Sequence, residues 1–202
     1  MGRPTHYFSS SPEVPSRPST VRLDLPDLSL ELRTDRGVFS GTRIDPGTKY
    51  LLVQAPPPPA TGHLADIGCG YGAIALTLAA RSPGATVWAV DVNERALDLT
   101  RANAAAGGLT NVRVASPDDV PADVRFAAWW SNPPVRVGKA ALHDLLARWM
   151  SRLDTDGTAL LVVQKQLGAD SLQRWLAEQG WSVRRLGSRV GYRLLEVRGV
   201  PE

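Results

Sequence analysis

The chain has 202 residues, of which 43% are hydrophobic and 21% charged, with 18 glycines and 16 prolines. That balance excludes a disordered chain, a collagen-like fibre and a coiled coil, and the length suits one domain or one domain with an appendage. A formal net charge of +3 and a pI near 9.3 permit contact with nucleic acid without requiring it.

Residues 1–18 are rich in Ser and Pro and read as an extended arm. Residues 19–25 and 28–34 alternate apolar and polar around Pro26-Asp27, which predicts a small hairpin. Asp35-Arg36-Gly37 marks a turn. Pro46 to Ala55 reads as a short helix with Asp45 as N-cap and Pro46 at the first helical position. Pro56 to Pro59 ends it. Ten of the 16 prolines lie in the first 60 residues, and a boundary is expected at Pro59, between an N-terminal unit (1–59) and a larger domain (60–202).

Beyond it, strands and helices alternate. Strands are expected at 63–68, 85–91, 111–116, 125–131 and 158–164. Helices are expected at 73–82, from Glu94 behind an Asn93 cap to Gly107-Gly108, over 139–153, and from an Asp170 cap to Gly180. The helix over 139–153 places Leu142, Leu145, Leu146, Trp149 and Leu153 on one stripe. The last two strands, 181–187 and 191–198, are too close in sequence for a crossover and should pair antiparallel. Five βα units and a terminal hairpin describe an α/β fold, a doubly wound, mostly parallel sheet of seven strands.

Residues 66–73 read Asp-Ile-Gly-Cys-Gly-Tyr-Gly-Ala, after a strand and opening a helix, with Asp91 about 20 residues on. Taken literally, Gly68, Gly70 and Ala73 are a dinucleotide fingerprint with Asp91 on the ribose. Asp66, however, sets a carboxylate at the strand end, which disfavours a pyrophosphate and favours an ammonium or sulfonium. A cationic nucleoside such as S-adenosylmethionine fits; NAD and a purely structural turn are the alternatives. Cys69, the sole cysteine, is expected to pack and not to react. Asp118 and Asp119 follow the third strand, where a carboxylate could accept from an adenine amine or merely cap a loop.

Asn132-Pro133-Pro134 follows the fourth strand. Two prolines fix the backbone, so the Asn132 side-chain oxygen and the Pro133 carbonyl form a rigid pair of acceptors for the two hydrogens of an exocyclic amine. Arg136 and Lys139 stand beside it as phosphate contacts or as solvated loop residues. Arg184, Arg185 and Arg189 read as solvated strand edges, Trp129 and Trp130 as core, and His143 as structural. His6, His63 and His143 have no metal-ligand spacing, so no metal is expected. The absence of a signal core, of a membrane-length apolar run and of a disulfide pair leads to the expectation of a cytoplasmic protein.

Residues 66–72 resemble motif I of class I S-adenosylmethionine-dependent methyltransferases, and 132–134 their amino-methylating N-P-P motif. With HYFSSSPEV, DRGVFS, Asp45-Pro46-Gly47-Thr48, DVNERAL, SNPPVRVGK and GYRLLEV, the chain is similar to short members of the "methyltransferase small" family, related to small-subunit ribosomal RNA guanine-N2 methyltransferases. The resemblance implies that Asp66, Gly68, Gly70 and Gly72 line the methionine end of the cofactor, that Asp91 holds its ribose, Val92 packs on adenine and Asp118 meets the adenine amine, with Cys69 and Asn132 also against the cofactor. It also implies that Asn132, Pro133 and Pro134 hold the target amine, guanine N2 of small-subunit ribosomal RNA in the first reading; adenine N6 of nucleic acid, a protein glutamine amide, or a non-catalytic RNA-binding or assembly role are the alternatives. Val135 stands where many such enzymes carry an aromatic that stacks on the base, so either another residue such as Phe39 or Tyr71 stacks or the base is held differently.

Overall fold

The computed structural model describes residues 14–199, with the Arg136 side chain outside that description. Ser19–Asp24 (β1) and Ser29–Thr34 (β2) form the expected hairpin, Val21 opposite Leu32 and Leu23 opposite Leu30. Pro46–Gln54 is helix α1. Asp45 caps it by accepting the Thr48 N–H at 2.9 Å, and the proline run begins directly after Ala55.

The remaining elements are β3 (Thr61–Ile67), α2 (Ala73–Arg81), β4 (Gly84–Val90), α3 (Glu94–Ala106), β5 (Val112–Ala115), β6 (Phe126–Ser131), α4 (Lys139–Met150), β7 (Leu153–Gln164), α5 (Ala169–Glu178), β8 (Ser182–Arg189) and β9 (Tyr192–Arg198). They build one seven-stranded sheet in the order β5-β4-β3-β6-β7-β9-β8. The first five strands in that order are parallel, and β9 is antiparallel to both β7 and β8.

Both faces of the sheet are covered. On one, Leu64, Leu76 and Leu160 pack with Leu23 and Leu32 of the hairpin and Leu51 and Leu52 of α1. On the other, Phe126 and Trp129 pack with Leu146 and Trp149 of α4 and Leu172 of α5. Trp129 and Trp130 are buried on opposite faces of β6, as a period of two requires. His143 stacks on Trp175 of α5 with ring centroids 3.8 Å apart.

Four expectations need correction. Helix α4 ends at Met150, and Leu153 opens β7 opposite Phe126 with a register shift behind it. At buried Gly157 a Cβ would sit 2.7 Å from the Phe126 carbonyl oxygen, a close backbone approach that carries the strand back before its apolar run. Helix α5 is entered through Gly168 in the left-handed conformation, φ 101°, not through a side-chain cap, and Asp170 in its first turn pairs with Arg193 of β9. Among the described residues no helix joins β5 to β6, so four βα crossovers replace the expected five. The last hairpin also runs later than expected, because Val190-Gly191, both at positive φ, make its turn.

Candidate active site

The strand order reverses at β3, which lies between β4 and β6. Loops leaving adjacent strand ends at such a switch point open a crevice for ligand, and both sequence motifs fall there.

The glycine loop folds onto the end of β4, where the Val90 carbonyl accepts from the Gly68 and Cys69 N–H groups at 2.8 and 3.0 Å. Gly72, φ 95°, starts α2; a Cβ there would meet Thr100 Cγ2 at 3.0 Å, so both conformation and space require glycine. At Gly68, also at positive φ, a Cβ would meet nothing within 4 Å, so the loop's outer surface is open. Asp91 clamps the loop from the next strand. Its Oδ2 accepts from Gly70 N–H at 2.9 Å and its Oδ1 from Asn93 N–H at 3.0 Å. Burial raises its carboxyl pKa, against the pull of those donors. Val92 follows, half-buried.

Asp66 is wholly buried. Its Oδ2 accepts from Ala75 N–H at 2.9 Å, while Oδ1 has no hydrogen-bond partner. Burial pushes its carboxyl up to about 8. An orphaned acid directly behind an open glycine loop fits a cationic ligand, which would supply the missing partner and favour the carboxylate. The residues therefore suit the sulfonium nucleoside anticipated from the motif. Cys69 is buried, with Sγ 3.7 Å from Thr100 Oγ1; burial first, then Asp91 and Asp66, pushes its thiol well above the ordinary range. It stays a neutral packing group.

The N-P-P segment is tied to the glycine loop at its root, since Ser131 Oγ donates to the Ile67 carbonyl at 2.6 Å. Asn132 Nδ2 donates to Asp45 Oδ2 at 2.8 Å and to Thr48 Oγ1 at 3.0 Å. Both amide hydrogens are thus engaged, and Oδ1 is left as an acceptor. The Pro133 carbonyl accepts from Val135 N–H at 2.8 Å and keeps its second lone pair.

Two cavities meet at Asn132. A small one, about 30 Å³, is lined by Gly68, Cys69, Gly70 and Thr48. A larger one, about 420 Å³, is lined by Pro133, Pro134, Val135, Gln164 and Tyr192. Phe39 and Asp45 border both. The structure therefore brings the glycine loop, Asn132, Pro133, Pro134 and Phe39 together.

Tyr71 lines the small cavity, but it is a core residue, 5% exposed, with its phenol pushed up to about 12 by burial and then by Asp45, so it presents no open face for stacking. Other expected residues lie outside both cavities. Asp118 is exposed, with its carboxylate paired to Arg148 of α4 at 2.8 Å. Asp119 accepts from Ser116 Oγ at 2.6 Å. Lys139 is exposed at the first position of α4 and lines neither cavity. Arg136 falls in a short 3-10 turn, Val135–Val137, with its side chain outside the described residues. HYFSSSPEV lies outside them too, except Val14.

Asp45, Thr48, Ser131 and Tyr192 all fall within the segments that carry the family resemblance, but sequence reasoning assigned a role to Asp45 alone, as a helix cap. Their contacts with Asn132, the glycine loop and the cavity join segments far apart in the chain. Among the described residues no group of three or more His, Cys, Asp or Glu could hold a metal ion, and no helix is long and apolar enough to cross a membrane.

The Methyltransferase small domain family matches residues 29–196. The uncharacterized protein YbxB of Bacillus subtilis is 34% identical over 198 residues, covering 96% of this chain and 98% of that protein. Ribosomal RNA small subunit methyltransferase C of Aeromonas hydrophila is 37% identical over 142 residues, 67% of this chain but only 40% of that longer protein. Among solved structures, the T. thermophilus 16S rRNA N2 methyltransferase RsmC, in complex with AdoMet and guanosine, superposes with a TM-score of 0.79 at 23% identity, over 94% of this chain and 52% of that one.

Proposed function

Because the chain belongs to the methyltransferase small-domain family, we propose that it methylates an exocyclic amine of an RNA base from S-adenosylmethionine, with guanine N2 of small-subunit ribosomal RNA as the target. The longer relatives named for ribosomal RNA methylation support the substrate class. The observation that carries the reaction type is the engaged Asn132 amide, held by Asp45 and Thr48 so that only Oδ1 faces a ligand.

The cofactor, when bound, supplies an electrophilic methyl group on a positively charged sulfur. The protein supplies the rest. Asp66, Gly68 and Gly70 would hold the cationic amino-acid end, and Asp91 the ribose hydroxyls. Asn132 Oδ1 and the Pro133 carbonyl would accept the two N–H hydrogens of the target amine, drawing its lone pair out of conjugation and leaving it free to act as nucleophile. Because proline rings and the Asp45–Thr48 pair hold these acceptors beforehand, little reorganisation is needed as charge develops. A base in a paired or folded RNA must be extruded to reach Asn132, and Phe39, 44% exposed where the two cavities meet, borders its path. Lys139 is suited to meeting the RNA backbone. A ribosomal RNA substrate implies a cytoplasmic site of action.

Nucleoside mass spectrometry of ribosomal RNA from a strain lacking the gene tests this reading. One methylated guanine is expected to disappear and to return with the wild-type gene but not with Asn132→Ala. An unchanged nucleoside profile refutes it.

A further inference from the structure

We propose that Tyr192 is the aromatic wall on which the target base stacks, taking over the role left open by Val135. This inference rests on the base-methylating function proposed above. The cavity beside Asn132 has two aromatic residues in its lining, Phe39 and Tyr192. Phe39 belongs to the irregular segment before α1. Tyr192 opens β9 opposite Gln164, the last residue of β7, so it stands on the sheet at the end where the N-P-P loop emerges. Groups on strands are held more firmly than groups on loops.

The Tyr192 ring is seated against Gly47, which also leaves room for the Asp45 carboxylate: a Cβ there would lie 2.9 Å from Asp45 Oδ2. A Cβ at Gly47, in the first turn of α1, would lie 2.5 Å from Tyr192 Cε1 and 2.7 Å from Cδ1. No side chain fits there while the ring keeps its place. The same turn carries Asp45 and Thr48, which orient the Asn132 amide. One turn of α1 therefore sets both the acceptor for the amine and the plane beside it. Tyr192 is half-buried, packed on the core from one side and lining the cavity from another. Burial and then the Asp45 carboxylate raise its phenol pKa, so the ring stays neutral. Val135 lines the same cavity and packs partly against the core of the opposite sheet face, but its side chain offers no π surface.

The test measures methyl transfer from labelled S-adenosylmethionine to small-subunit ribosomal RNA taken from the deletion strain, with cofactor Kd measured in parallel. Stacking of one base on an aromatic implies a loss of about 5- to 150-fold when the ring is removed. Tyr192→Leu is expected to raise KM for RNA within that range at unchanged cofactor Kd. Tyr192→Phe should stay within about twofold of wild type, and adding Val135→Phe to Tyr192→Leu should recover most of the loss. Should Tyr192→Leu itself bind cofactor poorly, Tyr192→Met takes its place with the same expected result. A ring-deleted protein within twofold of wild type overturns the proposal, as does a Tyr192→Phe protein as impaired as the leucine variant. If the wild-type protein methylates no ribosomal RNA although it binds cofactor, the proposed function fails instead.

Discussion

Asn132 is held by two partners whose first duty is to a helix end: Asp45 caps α1, and Thr48 supplies both the capped N–H and a hydroxyl. Removing the amide and removing its support should therefore differ. Asn132→Ala is expected to lower the rate of methyl transfer by about 10²- to 10³-fold, the usual cost of losing a preorganised polar group, with cofactor Kd changed little in isothermal titration. Asp45→Ala should cost about 1 kcal/mol of stability through the lost cap. It should also lower kcat by about tenfold or more, since the amide could then rotate; Tm and kcat measured together separate the two effects.

Asp66 makes a different prediction. Its carboxyl is raised from 3.8 to about 8 in the fold, so the folded state holds a proton that the unfolded state releases across that window. The cofactor-free protein should lose stability as pH rises from about 4 to about 8, because the unfolded state binds fewer protons there. Asp66→Asn removes this component, so wild type should weaken relative to the variant by on the order of 1 kcal/mol per pH unit in urea unfolding. Identical pH dependence in both proteins contradicts the assignment.

At the scale of elements, short side-chain bridges hold the N-terminal hairpin against the fold that carries the site. Asn103 of α3 accepts from Arg33 N–H at 2.8 Å and donates to the Arg33 and Tyr71 carbonyls at 2.9 Å each. It joins β2 to the glycine loop. Asn103→Ala leaves buried backbone groups unpaired and should cost about 2–4 kcal/mol, with a several-fold weaker cofactor Kd; urea unfolding and titration calorimetry check it. Arg81 makes a second bridge, its guanidinium paired with Asp27 at 2.7 Å and bonded to the Leu52 carbonyl at 2.9 Å. Elements with strong local signals were readable in advance: the Asn93 cap and Gly107 stop bound α3 as expected. The start of β7 and the entry to α5 were not, because a strand bulge against Phe126 and a left-handed Gly168 depend on a neighbouring strand and on the path of the chain.

At the scale of the whole molecule, the hairpin, α1 and the parallel sheet share one buried cluster, in which Leu23, Leu51, Leu52 and Leu64 are all 0% exposed. No separate core exists among the described residues before Pro59 that could melt alone. Thermal unfolding followed by far-UV circular dichroism and by tryptophan fluorescence should give coincident single transitions; an early loss of β1 and β2 would show instead that the N-terminal unit is independent. The sequence by itself determined the α/β class, the closing antiparallel hairpin, the glycine loop and the N-P-P segment, because hydrophobic period and turn chemistry act over a few residues. Only the tertiary structure decided that Asp45 orients Asn132 across 87 positions of chain, that burial raises the Asp66 carboxyl, and that Tyr192 and not Tyr71 lines the larger cavity. Each of these depends on burial or on contact between distant segments, and neither is encoded in local pattern.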